Sequence, residues 1–383
     1  MSRGPRIERI VCQPDLLAVQ WAGGAVSEFA SLWLRDNLPE DRDVHSGQRL
    51  VDIADLPEQP RIRCATVRDG AVCIEWEQET RPATFDLEWL ALQATGVESA
   101  RPELAPYRWL YGAQRDVGRD FAWATAAAAQ ADRDVRRLWL TKLLQDGMAF
   151  LRQVPSTETA ILEAVSWIGR VAETNYGEVF DVRSIAQPEN LAYSDLGLGL
   201  HTDNPYRDPV PGFQVLHALR VSPEGGDSLF ADGFALAEHL RTTDPAAFAL
   251  LTRTPVPFCY RSADAELYAE RPLIQLSAGG EVTAVHYNSR SIAPLRIAAR
   301  EAAAFYGAYR QFARLLREPR YQLKHRLTTG DLVVFDNHRL LHGRTGFSSA
   351  RFPRHLRGCY LTRDSVRSQA ALLRRDCGRQ ALP

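Results

Sequence analysis

The chain has 383 residues, with 46 Lys and Arg against 47 Asp and Glu and no basic stripe, which disfavours a nucleic-acid partner. No stretch approaches the roughly 18–20 uninterrupted apolar residues of a membrane span, and the start lacks an apolar signal-peptide core, so we expect a cytoplasmic protein with no membrane partner. Six cysteines are scattered without a CxxC pair, which favours reduced thiols.

The N-terminal part of the chain has a strand-like pattern. Residues 9–91 contain short runs of β-branched and apolar residues separated by polar turns, which predict a small β-rich domain. Residues 92–115 contain several Pro and Gly residues and no sustained period. This break predicts a boundary near residue 100, with one domain over 1–100 and a larger one over 101–383.

The second domain mixes helical and strand patterns. Helices are predicted at DVRRLWLTKLLQDG, ending at Gly147, at AREAAAFYGAYRQFARLLREP, and in the alanine-rich run over 122–131. Strands are predicted at MAFLRQV, LGLGLHTDN, GFQVLHALRV, DSLFADG, VTAVHYNS, DLVVFDNH and RHLRGCYLT. The expected fold is therefore mainly β, a sheet sandwich with covering helices.

A metal-binding pattern begins within LGLGLHTDN. His201 and Asp203 stand two apart in a predicted strand, where side chains at i and i+2 point to the same face. An imidazole and a carboxylate supply two ligands of the facial triad that binds Fe(II) and leaves positions for a co-substrate and O₂. A returning jelly-roll strand in GDLVVFDNHRLLHGR is expected to deliver the third. Spacing alone does not choose between His338 and His342, which are four apart.

Ordered strings along nearly the whole chain resemble the taurine and γ-butyrobetaine dioxygenase family. They are LWLRDN at 32–37, NLAY at 190–193, PGFQVLHAL, GGDSLFADGF, FDNHRLLHGR and RHLRGCY. The resemblance implies a double-stranded β-helix (jelly-roll) catalytic domain, an Fe(II) cofactor, and 2-oxoglutarate and O₂ as co-substrates. It assigns the histidine of HGR, His342, as the third ligand and leaves His338 as a loop residue.

The resemblance also implies a site for 2-oxoglutarate. Arg354 of RHLRGCY is expected to hold the distal carboxylate, which a planar guanidinium can bind with two parallel hydrogen bonds. Ser228 of GGDS is the expected hydroxyl partner. Arg344, Arg351 and Arg357 lie close enough along the chain that a shift of one element would change the choice.

Family members that act on trimethylammonium substrates enclose the cation in aromatic rings. The resemblance places candidate substrate-binding residues at Tyr176, Phe180, Tyr193 and Tyr360, together with Asn190 at the start of NLAY. Phe180 stands where γ-butyrobetaine hydroxylases of this family carry a tryptophan. Single aromatic residues are common in protein cores, but four at these places favour a cage.

An anionic end of the substrate is suggested by further polar residues. Asn204 and Tyr206 follow the metal ligands, and YNSRS places Asn288 and Arg290 on a facing segment. These donors suit the three oxygens of a phosphonate, although a solvated Arg290 is an equal alternative. The partner expected is thus a small zwitterionic quaternary-ammonium compound.

The combined pattern resembles that of family members that act on 2-(trimethylamino)ethylphosphonate. The resemblance implies hydroxylation of this compound to its 1-hydroxy product, with 2-oxoglutarate and O₂ giving succinate and CO₂. One alternative is formation of carnitine from γ-butyrobetaine. An alternative of another class is a catalytically silent protein that binds a small cation. The intact set of His201, Asp203, His342 and Arg354 disfavours the silent protein.

The first domain departs from the family pattern. Relatives often carry a structural zinc there, with cysteines closely following WLRDN, whereas Leu38, Glu40 and Asp43 occupy those places here. Without thiolates we expect no structural zinc, and His45 is expected at the surface. The resemblance further implies a possible homodimer.

Overall fold

The computed structural model describes residues 5–94, 105–183, 196–348 and 354–378, without the side chains of 375–378. The chain divides into two compact units, Met1–Pro102 and Glu103–Pro383. The boundary predicted near residue 100 lies outside the described residues. Among the described helices, none is both long enough and apolar enough to cross a membrane.

The first unit is built from two antiparallel three-stranded sheets. Its strands are β1 (Ile7–Gln13), β2 (Leu16–Trp21), β3 (Val26–Ala30), β4 (Ile62–Arg68), β5 (Ala71–Trp76) and β6 (Ala83–Asp86), and its helices are α1 (Ser31–Asp36) and α2 (Leu87–Gln93). The sheet orders are β1–β2–β3 and β4–β5–β6. Alternate residues of β2 and β5 point into an apolar core, as a period of two requires.

The run ATFDLEWL at 83–90, part of the strand-like pattern of residues 9–91, is a strand only in its first four residues, Ala83–Asp86. In ATFDLEWL the strand stops at Asp86, whose carboxylate accepts a hydrogen bond of 2.9 Å from the Trp89 N–H. This is an N-cap, and α2 begins at the next residue, Leu87.

The second unit contains most of the strands and helices. Its strands are β7 (Ala122–Thr125), β8 (Met148–Arg152), β9 (Val171–Ala172), β10 (Phe180–Arg183), β11 (Leu198–His201), β12 (Phe213–Arg220), β13 (Ser228–Asp232), β14 (Val256–Arg261), β15 (Glu266–Arg271), β16 (Ile274–Leu276), β17 (Val282–Val285), β18 (Leu323–His325), β19 (Leu332–Asp336), β20 (Leu340–Arg344) and β21 (His355–Leu361). Its helices are α3 (Val117–Asp120), α4 (Ala126–Ala131), α5 (Arg133–Asp146), α6 (Ala160–Val165), α7 (Gly233–Thr243), α8 (Pro245–Arg253), α9 (Ala299–Arg317) and α10 (Arg363–Gly378).

Two sheets of the second unit face each other. The larger has the order β10–β21–β12–β19–β8–β7, with β9 also beside β21, and the smaller has the order β11–β20–β13–β18. Apolar side chains from both sheets fill the space between them, and the Phe230 and Phe335 ring centroids lie 5.4 Å apart. The predicted double-stranded β-helix is confirmed by this arrangement.

Helices cover the outer faces of both sheets. Trp139 and Leu143 of α5 pack with Val215 on the larger sheet, and Phe312 of α9 belongs to the core on the smaller sheet. The predicted end of α5 is confirmed, since Gly147 has φ 83°, a left-handed conformation that glycine adopts readily.

The prediction for residues 122–131 is partly wrong. Ala122–Thr125 form β7, which runs parallel to β8, and only Ala126–Ala131 are helical. The Thr125 hydroxyl accepts a hydrogen bond from the Ala128 N–H, so the helix begins only after this cap.

Candidate active site

Three potential metal ligands meet at the edge of the smaller sheet. His201, Asp203 and His342 each bring one ligand atom to within 4.8 Å of the others. His201 Nε2 lies 3.3 Å and His342 Nε2 lies 3.7 Å from Asp203 Oδ1. His201 at the end of β11 stands opposite His342 on β20. Within the described part of the chain, this is the one such group of histidine, cysteine and acidic residues.

His338, the other histidine considered for this role, lies in the turn between β19 and β20. Its ring Nε2 is 3.3 Å from the Val210 carbonyl, and its N–H donates to the Asp336 carboxylate. The group of ligand atoms therefore includes His342 and leaves His338 outside.

The protonation states in the group suit a divalent cation. Burial lowers the pKa of His342 to about 3, and His201 acts in the same direction, so the His342 imidazole is neutral. Although burial raises it, the neighbouring His342 and His201 hold the pKa of Asp203 well below its usual range. His201 Nδ1 lies 2.9 Å from the Gly199 carbonyl, which leaves Nε2 directed at the group. Two imidazoles and one carboxylate form the donor set of an Fe(II) facial triad.

Asp203 does not lie on a strand, contrary to the prediction. Strand β11 ends at His201, and Asn204 has φ 52° in the left-handed region, so alternation of strand faces does not place the carboxylate. The Asp203 N–H instead donates to Asn337 Oδ1 at 2.7 Å, and Asn337 Nδ2 donates to the carbonyls of Asp203 at 3.1 Å and Pro211 at 3.0 Å. Asn337 is fully buried and holds the Asp203 backbone from both sides.

Asn337 was missed by the sequence reasoning. It follows the buried strand β19 within the string FDNH. A polar residue between two apolar strands was the signal that could have marked it as a candidate site residue.

A pocket beside the triad has an aromatic wall. Tyr176, Phe180 and Tyr360 line it, with ring centroids 6.3 Å apart for the first pair and 5.2 Å for Phe180 and Tyr360. Asn204 lines the same pocket. The structure thus brings together three of the four predicted aromatic residues. Tyr193 and Asn190 lie outside the described residues.

A chain of hydrogen bonds joins this wall to the metal ligands. The Tyr360 phenol donates to Asp203 Oδ2 at 2.7 Å, and Asn204 Nδ2 donates to Tyr360 Oη at 3.3 Å. The Tyr206 phenol donates to Asn204 Oδ1 at 2.6 Å and lies 3.4 Å from Tyr176 Oη. Tyr206 is therefore connected to the pocket through its neighbours without being one of its lining residues.

Tyr260 on β14 is a further aromatic residue that sequence reasoning missed. Its ring stacks on Tyr206 at 5.2 Å and meets Tyr176 edge-on at 6.0 Å. It lies on a separate hairpin, β14–β15, and its string VPFCYR contains no signal of a site. Burial raises the pKa of Tyr206 to about 12, so its phenol stays protonated and can donate.

Arg354 and Ser228 line another part of the same pocket. Arg354 is 7% exposed, and no carboxylate of the described residues forms an ion pair with it. Burial and the nearby Arg344 lower the pKa of Arg354 to about 10, so it remains a cation at neutral pH. A buried cation facing a pocket without a counterion fits an anionic ligand.

The other arginines considered for this role differ. Arg357 is paired with Glu158 at 3.1 Å, which leaves it engaged elsewhere. Arg344 lines the same pocket as Arg354 and donates toward the Leu196 carbonyl at 3.4 Å. Arg351 lies outside the described residues.

Asn288 and Arg290 are near the triad but do not line the pocket. Asn288 Nδ2 donates to the Thr202 carbonyl at 3.3 Å, and its Oδ1 accepts from the Arg290 N–H at 3.3 Å. Asn288 therefore supports the loop that carries Thr202. The Arg290 side chain is exposed and close enough to Asp203 and His342 to interact with them electrostatically.

Comparison with known families decides the identity of this site. Residues 103–360 match the family described as "Taurine catabolism dioxygenase TauD, TfdA family", and residues 10–91 match "Gamma-butyrobetaine hydroxylase-like, N-terminal". The chain belongs to the TauD/TfdA dioxygenase family. This TauD/TfdA-family protein is an Fe(II)- and 2-oxoglutarate-dependent dioxygenase with a His–Asp–His metal-binding triad.

Similar proteins extend along both units. A γ-butyrobetaine dioxygenase from Pseudomonas sp. (strain AK-1) is 36% identical over 368 residues, which are 94% of each chain. A trimethyllysine dioxygenase from Meyerozyma guilliermondii is 27% identical over 390 residues, covering 96% of this chain and 95% of that one. A solved taurine dioxygenase from Burkholderia xenovorans is 18% identical, with a TM-score of 0.47 and coverage of 63% of this chain and 87% of that one.

The residues of this TauD/TfdA-family site fit both iron and 2-oxoglutarate. The triad would supply two nitrogen donors and one anionic oxygen donor, and a facial triad of this kind leaves positions for a co-substrate and O₂. The Arg354 guanidinium, which has no carboxylate partner among the described residues, offers the two parallel donors that a carboxylate ligand requires. The specific roles of Arg354 and Ser228 remain predictions.

Proposed function

We propose that this dioxygenase hydroxylates a small zwitterion with a trimethylammonium group at one end and an anionic group at the other. The supporting observation is the wall of Tyr176, Phe180 and Tyr360 beside the triad. A trimethylammonium group cannot donate hydrogen bonds, so it is attracted to the negative faces of aromatic rings. The names of the two relatives, γ-butyrobetaine and trimethyllysine dioxygenase, support the same substrate class.

In this proposal each part of the pocket has a separate task. His201, Asp203 and His342 hold Fe(II), and Arg354 with Ser228 binds the distal carboxylate of 2-oxoglutarate. Iron bound there supplies the chemistry that couples oxidative decarboxylation of 2-oxoglutarate to hydroxylation of a C–H bond. The aromatic wall fixes the cation and thereby determines which carbon faces the metal.

We propose 2-(trimethylamino)ethylphosphonate as the preferred substrate, hydroxylated at the carbon next to phosphorus. Arg290 supports this choice, because it is close to Asp203 and His342 while no described carboxylate forms an ion pair with it. A guanidinium with free donors suits a phosphonate of higher charge better than a carboxylate. γ-Butyrobetaine is the second candidate, supported by the relative that is 36% identical.

The test is an assay of succinate formation with Fe(II), 2-oxoglutarate and one of four compounds. These are 2-(trimethylamino)ethylphosphonate, γ-butyrobetaine, 2-aminoethylphosphonate and taurine, with products followed by phosphorus and proton NMR. Coupled turnover of a trimethylammonium compound is expected, with the highest kcat/KM for the phosphonate. Turnover of taurine alone would overturn the substrate class, and a higher kcat/KM for γ-butyrobetaine would overturn the phosphonate.

Arg290→Ala tests the proposed anion contact. The expected result is a loss of phosphonate turnover of roughly 100-fold or more in kcat/KM, since a charge-assisted contact contributes about 1.5–3 kcal/mol per hydrogen bond. Arg261→Ala is the matched control, because Arg261 is an exposed arginine paired with Glu266 on the hairpin β14–β15. An unchanged kcat/KM in Arg290→Ala would remove Arg290 from the site.

A further inference from the structure

Gln214 is a buried polar side chain in the pocket that is neither a metal ligand nor part of the aromatic wall. It lies on β12, is 4% exposed and lines the pocket. No described residue provides a hydrogen bond to its Oε1. A buried carboxamide without a partner is unfavourable by about 1–3 kcal/mol, so native proteins rarely retain one without a reason. A ligand that enters the pocket can supply the missing partner.

The strand register places Gln214 at the level of the metal triad. It stands opposite Tyr360 on β21 and opposite Phe335 on β19. Tyr360 is bonded to Asp203, and the Phe335 ring centroid lies 4.8 Å from that of His342. Gln214 therefore lies between the neighbours of two metal ligands.

Arg354 lies at the other end of the pocket from Gln214. It precedes Tyr360, the strand partner of Gln214, by six residues. That separation corresponds to about 20 Å of extended backbone, which even a long arginine side chain only partly spans. A ligand whose distal carboxylate is held by Arg354 would thus present its opposite end toward Gln214 and the triad.

Only one group of the substrate or of 2-oxoglutarate is suited to form a hydrogen bond with Gln214. A trimethylammonium group neither accepts nor donates hydrogen bonds, so it cannot satisfy a carboxamide. The anionic end of the substrate is assigned to Arg290, which does not line the pocket, and the distal carboxylate of 2-oxoglutarate is assigned to Arg354. The remaining polar group is the 2-oxo acid end of 2-oxoglutarate, which must lie next to the metal.

We infer that Gln214 binds the 2-oxo acid end of 2-oxoglutarate by donating an Nε2–H to one of its oxygens. The oxygens of a 2-oxo acid only accept hydrogen bonds, so they cannot be partners of Oε1 itself. Rotation about the last side-chain bond exchanges Oε1 and Nε2 and places a donor at the position that lacks a partner. The inference concerns the co-substrate alone and does not depend on which quaternary-ammonium compound is hydroxylated.

The test measures the Kd of 2-oxoglutarate by calorimetry, without oxygen and without any trimethylammonium compound, on Co(II)-loaded enzyme. Gln214→Met keeps the side-chain size and removes the hydrogen bond, and a Kd roughly 10- to 100-fold higher than wild type is expected. Gln214→Glu should weaken binding further, because its carboxylate repels the ligand's. Gln322→Met is the control, since Gln322 bonds to the Leu316 carbonyl away from the pocket, and its Kd should be unchanged.

A second readout separates binding at the metal from a general loss of structure. The position of the visible metal-to-ligand band of anaerobic Fe(II) with 2-oxoglutarate should shift in Gln214→Met, while the Kd of the metal itself should match the wild type. The melting temperature of the ligand-free protein should not fall, because the substitution removes a buried polar group that has no partner among the described residues. A 2-oxoglutarate Kd within twofold of wild type in both Gln214 variants would overturn the inference. If Gln214→Met does not fold, the nearly isosteric Gln214→Glu decides by the same criterion. Failure of the substrate assays would leave these binding results unaffected.

Discussion

The Tyr360 phenol donates a hydrogen bond of 2.7 Å to Asp203 Oδ2. The same ring forms part of the aromatic wall, where its centroid lies 5.2 Å from that of Phe180. One side chain thus contacts a metal ligand through its hydroxyl and faces the pocket through its ring. These two contributions can be separated, because phenylalanine retains the ring and lacks the hydroxyl.

Tyr360→Phe is expected to weaken metal binding with little effect on the affinity for a trimethylammonium compound. Hydrogen-bond partners of metal ligands typically contribute about 10- to 100-fold to metal affinity. The Kd of Fe(II) or Co(II) measured by titration checks this. Tyr176→Phe is the control, because the Tyr176 hydroxyl lies near Tyr206 and not near a metal ligand. Equal metal affinity in Tyr360→Phe and wild type would contradict the prediction.

Asn337→Ala is expected to lower both metal affinity and stability. The substitution leaves the buried Asp203 N–H and the Asp203 and Pro211 carbonyls without the partner they have now. We expect the free energy of unfolding of the metal-free protein to fall by about 1–3 kcal/mol or more, measured by urea denaturation. Asn337→Asp should rescue only part of this, since a carboxylate can accept from the N–H but cannot donate to the carbonyls. Full metal affinity in Asn337→Ala would show that Asp203 is held by other contacts.

Arg354→Lys is expected to weaken 2-oxoglutarate binding by about tenfold or more while the charge is retained. An ammonium group cannot form the two parallel hydrogen bonds of a guanidinium. Calorimetric titration of 2-oxoglutarate measures the effect. Arg357→Lys is the control, since Arg357 is paired with Glu158. A larger loss of 2-oxoglutarate affinity in Arg344→Lys than in Arg354→Lys would instead show that Arg344 binds the distal carboxylate.

Asp232→Asn is expected to destabilise the fold strongly. Asp232 and Arg339 form an ion pair of 2.7 Å in which the side chains are 0% and 2% exposed. Removing one charge leaves the other buried without a counterion, which typically costs about 3–5 kcal/mol. Urea denaturation should show this loss, whereas Glu266→Gln in the exposed pair with Arg261 should change stability by less than about 1 kcal/mol. Similar effects of the two substitutions would contradict the argument from burial.

Helices α5 and α9 and several strands of the two facing sheets could be predicted because their patterns are local. Helix α9 has its apolar residues at helical spacing, and the buried strand β19 is a continuous apolar run. The two positions His201 and Asp203 were recognisable for the same reason, although their common direction was assigned to a strand that stops at His201.

The remaining features of the site depend on contacts between distant residues. Asn337 holds Asp203 from 134 positions away, and Tyr260 reaches Tyr206 from another hairpin, so neither leaves a periodic signal in the chain. The choice of His342 came from family resemblance, because spacing fitted His338 equally well. The homodimer, the cytoplasmic location and the absence of a nucleic-acid partner stay predictions.

The pairing of β11 with β20 has a consequence for the life of the protein in the cell. His201 and His342 stand opposite each other on these two strands. A metal ion bound by both would therefore hold β11 and β20 together, in addition to the hydrogen bonds between their backbones. A ligand that binds the native state alone raises its stability by mass action, so iron-replete enzyme would open less often to proteases. Scarcity of iron would then reduce the number of enzyme molecules as well as the turnover of each one.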